Sequence, residues 1–493
     1  MLRCIICSLI VLAAAFVWTS TTVAETPEMV EEARSMKVLN SISAGDPEAL
    51  LTVMQENWIP AESGKEEERT NRWSQVTQAL TERHAGLEVV GVIADVPHQL
   101  MFQTTDPDGI FLTFVFDYES EEPHRILSMS VQAGEPESGI NIPEFDLPKG
   151  VSLDEALAVF QEWFDDLADQ DLFSGTALIA WNGEPIFSGA WGYASKEWSV
   201  ENKIETRFDL GSINKSFTKI AVGQLINQGK LSLENTIAEI IPDYPNQETA
   251  ARITVRHLLD HSSGLGDIFT EEFFRSSKSL YRGPRDFFPL FADQPLLFEP
   301  GERSQYSNAG FMVLGAVIEA ISGVAYDEYV ITNIFGPAGM SASGFFANDE
   351  IVPDVAVGYT KMVGEDGAQE LRNNLLMLPV KGNSAGSAQS TVGDLLKFDN
   401  ALREHRLLPP AYTNWYFGGA EPETAASNED ASKRVDVATG IAGGAPGVSA
   451  VLESDGSLAV IILSNYDSPI TEAIARKLFR PLSTFLPSVI SDN

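Results

Sequence analysis

The period of the apolar positions changes along the chain, and each change predicts a different kind of element. From residue 28 to about 85 the spacing is helical: "DPEALLTVMQ" follows an acidic cap, and "RWSQVTQALTERHAG" runs to a glycine stop. The segments "LEVVGVIADV", "QLMFQTT", "GIFLTFVFDYE" and "HRILSMSVQAG" then alternate apolar and polar positions, with Asp106-Pro107-Asp108-Gly109 as a turn between two of them. Helices followed by a run of strands predict a small α+β domain over residues 25–135. A stretch rich in Gly, Pro and acidic residues follows, without periodicity, and reads as a linker over residues 136–152.

Residues 153–487 read as a second domain, α/β (α+β) in class. It opens with the amphipathic "LDEALAVFQEWFDDLADQ" and then "GTALIAWNGEPIFSGAWGYA", where Asn182-Gly183 marks a two-residue hairpin. Near the end, "GVSAVLESDGSLAVIILSNY" repeats the device at Asp455-Gly456. A hairpin at each end, with helical segments between, predicts one antiparallel sheet assembled from both ends of the domain and flanked by helices.

Composition adds three constraints. Residues 1–24 carry a weakly positive start at Arg3, an apolar run from Cys4 to Trp18, and small residues before Glu25, which together read as a signal peptide and predict a periplasmic or secreted protein. That run is shorter than the roughly 20 residues of a membrane span, so stable membrane insertion after cleavage is not expected. Both cysteines, Cys4 and Cys7, fall inside it, which leaves the rest of the chain without a disulfide or a thiolate metal site. The formal net charge of −37 argues against nucleic acid as a partner.

The candidate chemistry begins with "LGSINKSFTKI", residues 210–220, which holds two overlapping Ser-x-x-Lys arrangements: Ser212 with Lys215, and Ser216 with Lys219. Residues three apart on a helix share a face, so either lysine can reach its serine. The plain reading makes Ser212 a helix cap and Lys215 a solvated side chain. The chemical reading needs a lysine whose ammonium form is disfavoured by burial and by the positive field of a helix start. Only Ser212 and Lys215 lie in that first turn. A second titratable group is available in "EPGERSQYSNAGFMVLG", where Tyr306 beside a lysine would have its pKa lowered and relay protons, and Asn308 would position the lysine or a carbonyl.

These motifs, with "ITVRHLLDHSSGL" between them and "GIAGGAPGVSAVLESDGSLAVIILSNYD" after them, resemble the serine β-lactamase and penicillin-binding protein superfamily, in its class C-like branch of esterases and D-aminopeptidases. The resemblance implies a β-lactamase-like sheet flanked by helices with an all-helical subdomain, and acyl-enzyme chemistry on a small ester, amide or peptide without metal or cofactor. It makes Ser212 the nucleophile, Lys215 its base, Tyr306 the proton relay and deacylation base, and Asn308 the polar positioning group. The first domain resembles, in pattern, the nuclear-transport-factor-like kind.

One departure stands out. Where the family has Lys or His in its last sheet motif, this chain has Ile441, followed by Ala442 and Gly443. The N–H of Gly444 can still join that of Ser212 in an oxyanion hole, where each donor is worth about 3 kcal/mol. Weak β-lactamase activity and substrates without a free carboxylate are therefore expected, and the rival reading is a catalytically weak or inactive fold that binds a partner. Two further patterns read as decoys. Gly382-Asn383-Ser384-Ala385-Gly386 has the Gly-x-Ser-x-Gly form without the turn and downstream histidine it requires, and His257 and His261 have zinc spacing without a catalytic Glu between them.

Overall fold

Alternation along residues 111–118 puts Leu112, Phe114, Phe116 and Tyr118 on one buried side of a strand, and the elements around it follow from the same need to cover apolar side chains. The computed structural model describes residues 27–58, 85–96, 99–105, 111–119, 123–133, 142–148, 150–363, 369–421 and 433–490, with scattered helical positions between 69 and 81. The leader, the Asp106–Gly109 turn and residues 134–141 of the linker region lie outside the described residues.

The chain divides into two units, residues 1–139 and 140–493. In the first, α1 (Pro27–Ser43) and α2 (Pro47–Asn57) precede four strands, β1 (Glu88–Val96), β2 (Gln99–Thr105), β3 (Phe111–Tyr118) and β4 (Ile126–Ala133). The strands pair in sequence order as an antiparallel sheet. Asp46 caps α2 by accepting from the Glu48 and Ala49 amides, both at 3.0 Å. Val38, Leu39, Ile42 and Leu50 of the helices pack on Phe102, Phe114 and Phe116 of the sheet.

The second unit begins earlier than the residue pattern suggests. Ile142 and Phe145, in the stretch read as linker, are buried, with the Phe145 ring 5.1 Å from Phe160. Pro143, Pro148 and the Gly and acidic neighbours give the stretch the composition of a linker, which masks its apolar side chains. Next, α3 (Leu153–Asp169) starts at a capping box in which the Ser152 amide donates to Glu155 at 2.8 Å. It buries Ala156, Phe160, Trp163, Phe164 and Leu167, the larger of them contributing about 2 kcal/mol each if fully covered.

The sheet of this unit comes from both ends of its sequence. The first hairpin, β5 (Gly175–Trp181) and β6 (Glu184–Trp191), turns through Asn182 and Gly183 at φ +52° and +83°. After it come α4 (Asn214–Asn227), a set of short helices, α5 (Asn308–Ser322) and α6 (Val392–Arg403). The chain then returns as β7 (Thr439–Ala445), β8 (Val448–Ser454) and β9 (Leu458–Ser464), and closes with α7 (Ile470–Ile490). The order is β7-β8-β9-β5-β6, antiparallel throughout.

Helices α3 and α7 cover one face through Phe164, Val460, Ile462 and Leu478. The helical layer covers the other through Leu178, Ile461, Leu463 and Phe217. Buried on both faces, β9 is therefore apolar at nearly every position. Strand β7 is left at an edge, where alternate amides have no sheet partner and can face the start of α4.

Candidate active site

The turn into α4 is held from both sides by main chain. Leu210 N donates to Ala388 O at 2.9 Å, Ser387 N donates to Gly211 O at 3.1 Å, and Gly211 N donates to an Asp209 carboxylate oxygen at 2.8 Å. Burial pushes that carboxyl up to about 6, against the lowering effect of the Gly211 N–H. Gly211 has φ +48°, and a Cβ there would sit 2.8 Å from Gly444 N, so both conformation and space require glycine. The chain passes through a single 3-10 turn, Gly211–Ile213, and continues as α4.

Ser212 lies inside that turn and does not cap it. Its hydroxyl instead meets the Tyr306 hydroxyl at 2.6 Å and accepts from Lys215 Nζ at 3.1 Å. The spacing argument thus brings together the groups it named, while the capping argument does not describe Ser212.

Lys215 is 8% exposed. Besides Ser212, its amine donates to Asn308 Oδ1 at 2.8 Å and to Ala385 O at 2.7 Å, and it lies 4.7 Å from the centre of the Tyr306 ring. Burial lowers its pKa from 10.5 to about 7, and the carboxylate of Asp267 acts in the opposite direction. Near neutral pH a large share of the lysine is therefore a free amine, aimed at a hydroxyl it can deprotonate.

Tyr306 and Asn308 enter from the start of α5. Ser307, not Asn308, caps this helix: its Oγ accepts from Gly310 N at 3.0 Å and donates to Gly266 O at 2.8 Å. That frees the Asn308 side chain to bridge inward. Its Nδ2 donates to Asp267 at 2.9 and 3.2 Å, which fixes its Oδ1 toward Lys215. The Tyr306 ring is 53% exposed and stacks on His261 at 4.8 Å. Desolvation by the surrounding protein raises its pKa above 10, and the Ser212 hydrogen bond lowers it by less. A lowered value was expected from the nearby lysine, but burial, with the Asp267 carboxylate adding to it, outweighs any such effect.

His261 is missing from the sequence-based site, and so is Asp267. The His261 Nδ1 accepts from Ser307 N at 3.2 Å, and burial lowers its pKa to about 4, so the ring is neutral as it supports Tyr306. Asp267 also accepts from Ile268 N at 2.7 Å and Phe269 N at 3.1 Å. Its position shortly after the Ser-Ser-Gly-Leu run carries no spacing signal toward Asn308, 41 residues later.

The glycines of β7 lie against the serine turn. A Cβ on Gly443 would fall 2.0 Å from Leu210 O and 2.6 Å from Ser212 N. Gly443 pairs with Ala450 and Gly444 with Ser449. Ile441, opposite Leu452, is half-buried against the main apolar cluster. The cleft over Ser212 is lined by Tyr306, Asn308, Ile268, Phe269, Leu378, Pro379 and Gly444 among others, and Ile441 is not part of its wall.

The decoys have structural duties. Ser384 is buried, its Oγ 3.8 Å from Met312 Sδ. Its loop nevertheless shapes the site: Ala385 supplies a carbonyl to Lys215, and the Asn214 side chain donates to Asn383 O at 2.7 Å and accepts from Ala388 N at 3.0 Å. His257 Nδ1 accepts from Thr254 N at 3.3 Å inside a helix cap, so the two histidines of the zinc-like spacing serve separate contacts. Among the described residues no group of three or more His, Cys, Asp and Glu is placed to hold a metal ion.

Sequence comparison aligns residues 160–483 with the Beta-lactamase family model. Penicillin-binding protein 4* of Bacillus subtilis (strain 168) is 29% identical over 262 residues, 51% of this chain and 57% of that protein. Putative penicillin-binding protein PbpX of the same organism is 32% identical over 235 residues, 48% of this chain and 56% of that protein. The chain thus spans little more than half the length of these curated relatives. Among solved structures, a penicillin binding protein from Bacillus halodurans is 33% identical with a TM-score of 0.54, covering 63% of this chain and 97% of that one. The D-amino acid amidase from Ochrobactrum anthropi SV3 is 25% identical with a TM-score of 0.55, covering 67% and 99%. The family match runs through nearly all of the second unit, includes the serine turn, the α5 start and the β7 glycines, and coincides with the expected sheet: the chain belongs to the beta-lactamase family.

Proposed function

We propose that the protein is an exported serine hydrolase that works through an acyl-enzyme at Ser212 on small neutral esters or amides. The observation that carries this reading is the buried Lys215 amine 3.1 Å from the Ser212 hydroxyl, with its pKa near 7. General-base assistance of that kind contributes about 10²–10⁴-fold. Export rests on the apolar run before Glu25.

In this mechanism neutral Lys215 takes the Ser212 proton as Oγ attacks the substrate carbonyl, and the negative charge on the carbonyl oxygen falls to the Ser212 and Gly444 amides. Tyr306, kept as a phenol by its raised pKa, gives its proton to the leaving oxygen or nitrogen and regains one from the Lys215 ammonium. Deacylation reverses the roles: Lys215, neutral again, is the better base for water, and Tyr306 is the donor and relay rather than the base. Asn308 and Asp267 are positioning residues that hold the lysine against its serine.

Ile441 supports a substrate without a carboxylate, because a half-buried alkyl group replaces the expected cation. The same substitution favours the rival reading, a binding protein that never turns over. A fluorophosphonate probe separates them: the hydrolase labels at Ser212, Ser212→Ala does not label, and short-chain p-nitrophenyl esters are cleaved faster than nitrocefin. A wild-type chain that never labels and cleaves none of these would be the binding protein.

A further inference from the structure

The cleft above Ser212 opens onto aromatic surface on one side. Phe269 lines the cleft beside Tyr306 and Asn308 and is 42% exposed. Its ring stacks on Phe274, with centroids 6.3 Å apart, and Phe274 is 64% exposed. Both rings pack edge-on against Phe273, which is buried, so the pair is braced from beneath. Leu378 and Pro379 line the cleft as well, and the following Val380 amide donates to Lys278 O at 3.2 Å, tying that wall to the aromatic segment.

Charge is absent where a polar ligand would need it. The residues lining the cleft include no arginine, and Lys215 is committed to Ser212, Asn308 and Ala385. Of the cations next to the platform, Arg275 pairs with Glu271, and Lys278 is turned back onto the carbonyls of Phe273 at 2.5 Å and Ser276 at 3.0 Å. Two large exposed rings continuous with a nucleophile's cleft, beside cations engaged by Glu271 and by backbone carbonyls, suit an apolar group.

We infer that Phe269 and Phe274, with Leu378 and Pro379, form a subsite for an apolar chain or ring of the substrate, carried on either the acyl or the alcohol side of a neutral ester. The inference rests on the hydrolase reading and adds its substrate class. Full burial of a methylene is worth about fourfold in affinity, and a half-open platform about half of that energy, or about twofold. Four added methylenes should therefore raise kcat/KM by about 16-fold.

Two series of p-nitrophenyl and alkyl esters test it, one lengthening the acyl chain from two to six carbons and the other the alcohol chain. The expected result is a rise of about 16-fold in one series, flattened by Phe274→Ser and by Phe269→Ser, and kept by Trp198→Ser, a change at an exposed aromatic outside the cleft wall. The series that rises identifies the side of the ester that binds. Cleavage that is measurable with two-carbon esters but does not change with length in either series would overturn the subsite and leave the hydrolase intact. Absence of cleavage with every ester would overturn the subsite, and absence of fluorophosphonate labelling as well would overturn the hydrolase reading. A flat series together with sedimentation on zwitterionic lipid vesicles that Phe274→Ser abolishes would make the rings a lipid contact and also overturn the subsite.

Discussion

Two Ser-x-x-Lys pairs sit four residues apart on the same helix start, and they have opposite surroundings. Lys215 points its amine at the Ser212 hydroxyl and is held there by Asn308 and Ala385. Lys219 donates to Tyr416 O at 3.1 Å, with its amine 5.3 and 5.2 Å from the ring centres of Trp415 and Tyr416, while Ser216 hydrogen-bonds to the Tyr416 hydroxyl. Burial lowers the pKa of both lysines. Desolvation alone therefore does not make a base. The difference is that the first pair faces a cleft, a second hydroxyl and an edge strand, whereas the second faces a closed aromatic wall.

The contrast is sharpest at the serines. Ser212→Ala should remove at least about 10⁴-fold of esterase turnover and all covalent labelling, and Ser216→Ala should leave labelling at Ser212 in place. Mass-spectrometric mapping of the labelled peptide checks both. The lysines come next: Lys215→Met should cost about 10³-fold in kcat/KM, and Lys219→Met less than about threefold, measured in the same assay.

Gly443→Ala tests the part of the surroundings that only the first pair has. Its new Cβ meets Leu210 O and Ser212 N, so β7 must move away from the serine, with an expected loss of about 10² in kcat and little change in KM. The smallest effect is at Asp267. Asp267→Asn should cost about tenfold and shift the ascending limb of the pH–kcat/KM profile toward acid. The sign follows from the charge: the carboxylate favours the ammonium form of Lys215, so its removal lets the amine lose its proton at lower pH. A limb that moves toward alkali would contradict the Lys215 assignment.

Local spacing made part of this legible in the sequence. Ser212 and Lys215 share one turn, Tyr306 and Asn308 share another, and the Asn182-Gly183 and Asp455-Gly456 turns announce the two hairpins of the sheet. What stayed hidden depends on chain brought together over long distances or on atoms without a residue signature. Ala385 contributes a carbonyl that any residue could supply, Asp267 acts through Asn308 from a separate loop, and the raised pKa of Tyr306 comes from burial that only the assembled fold provides. Ile142 and Phe145, with Leu147 after them, escaped because Pro143, Pro148 and the acidic and Gly neighbours give the stretch the composition of a linker. That Ile441 stands where Lys or His is expected was visible in sequence, but its position outside the cleft wall was not.

The most direct test is the pH dependence of fluorophosphonate labelling at Ser212 between pH 5 and 9.5. If the neutral amine of Lys215 activates the hydroxyl, the rate rises with pH about a midpoint close to 7 and levels off above it. A rate that stays level across the whole range, or one still climbing steeply at pH 9.5 as for an ordinary solvated lysine, would contradict the account.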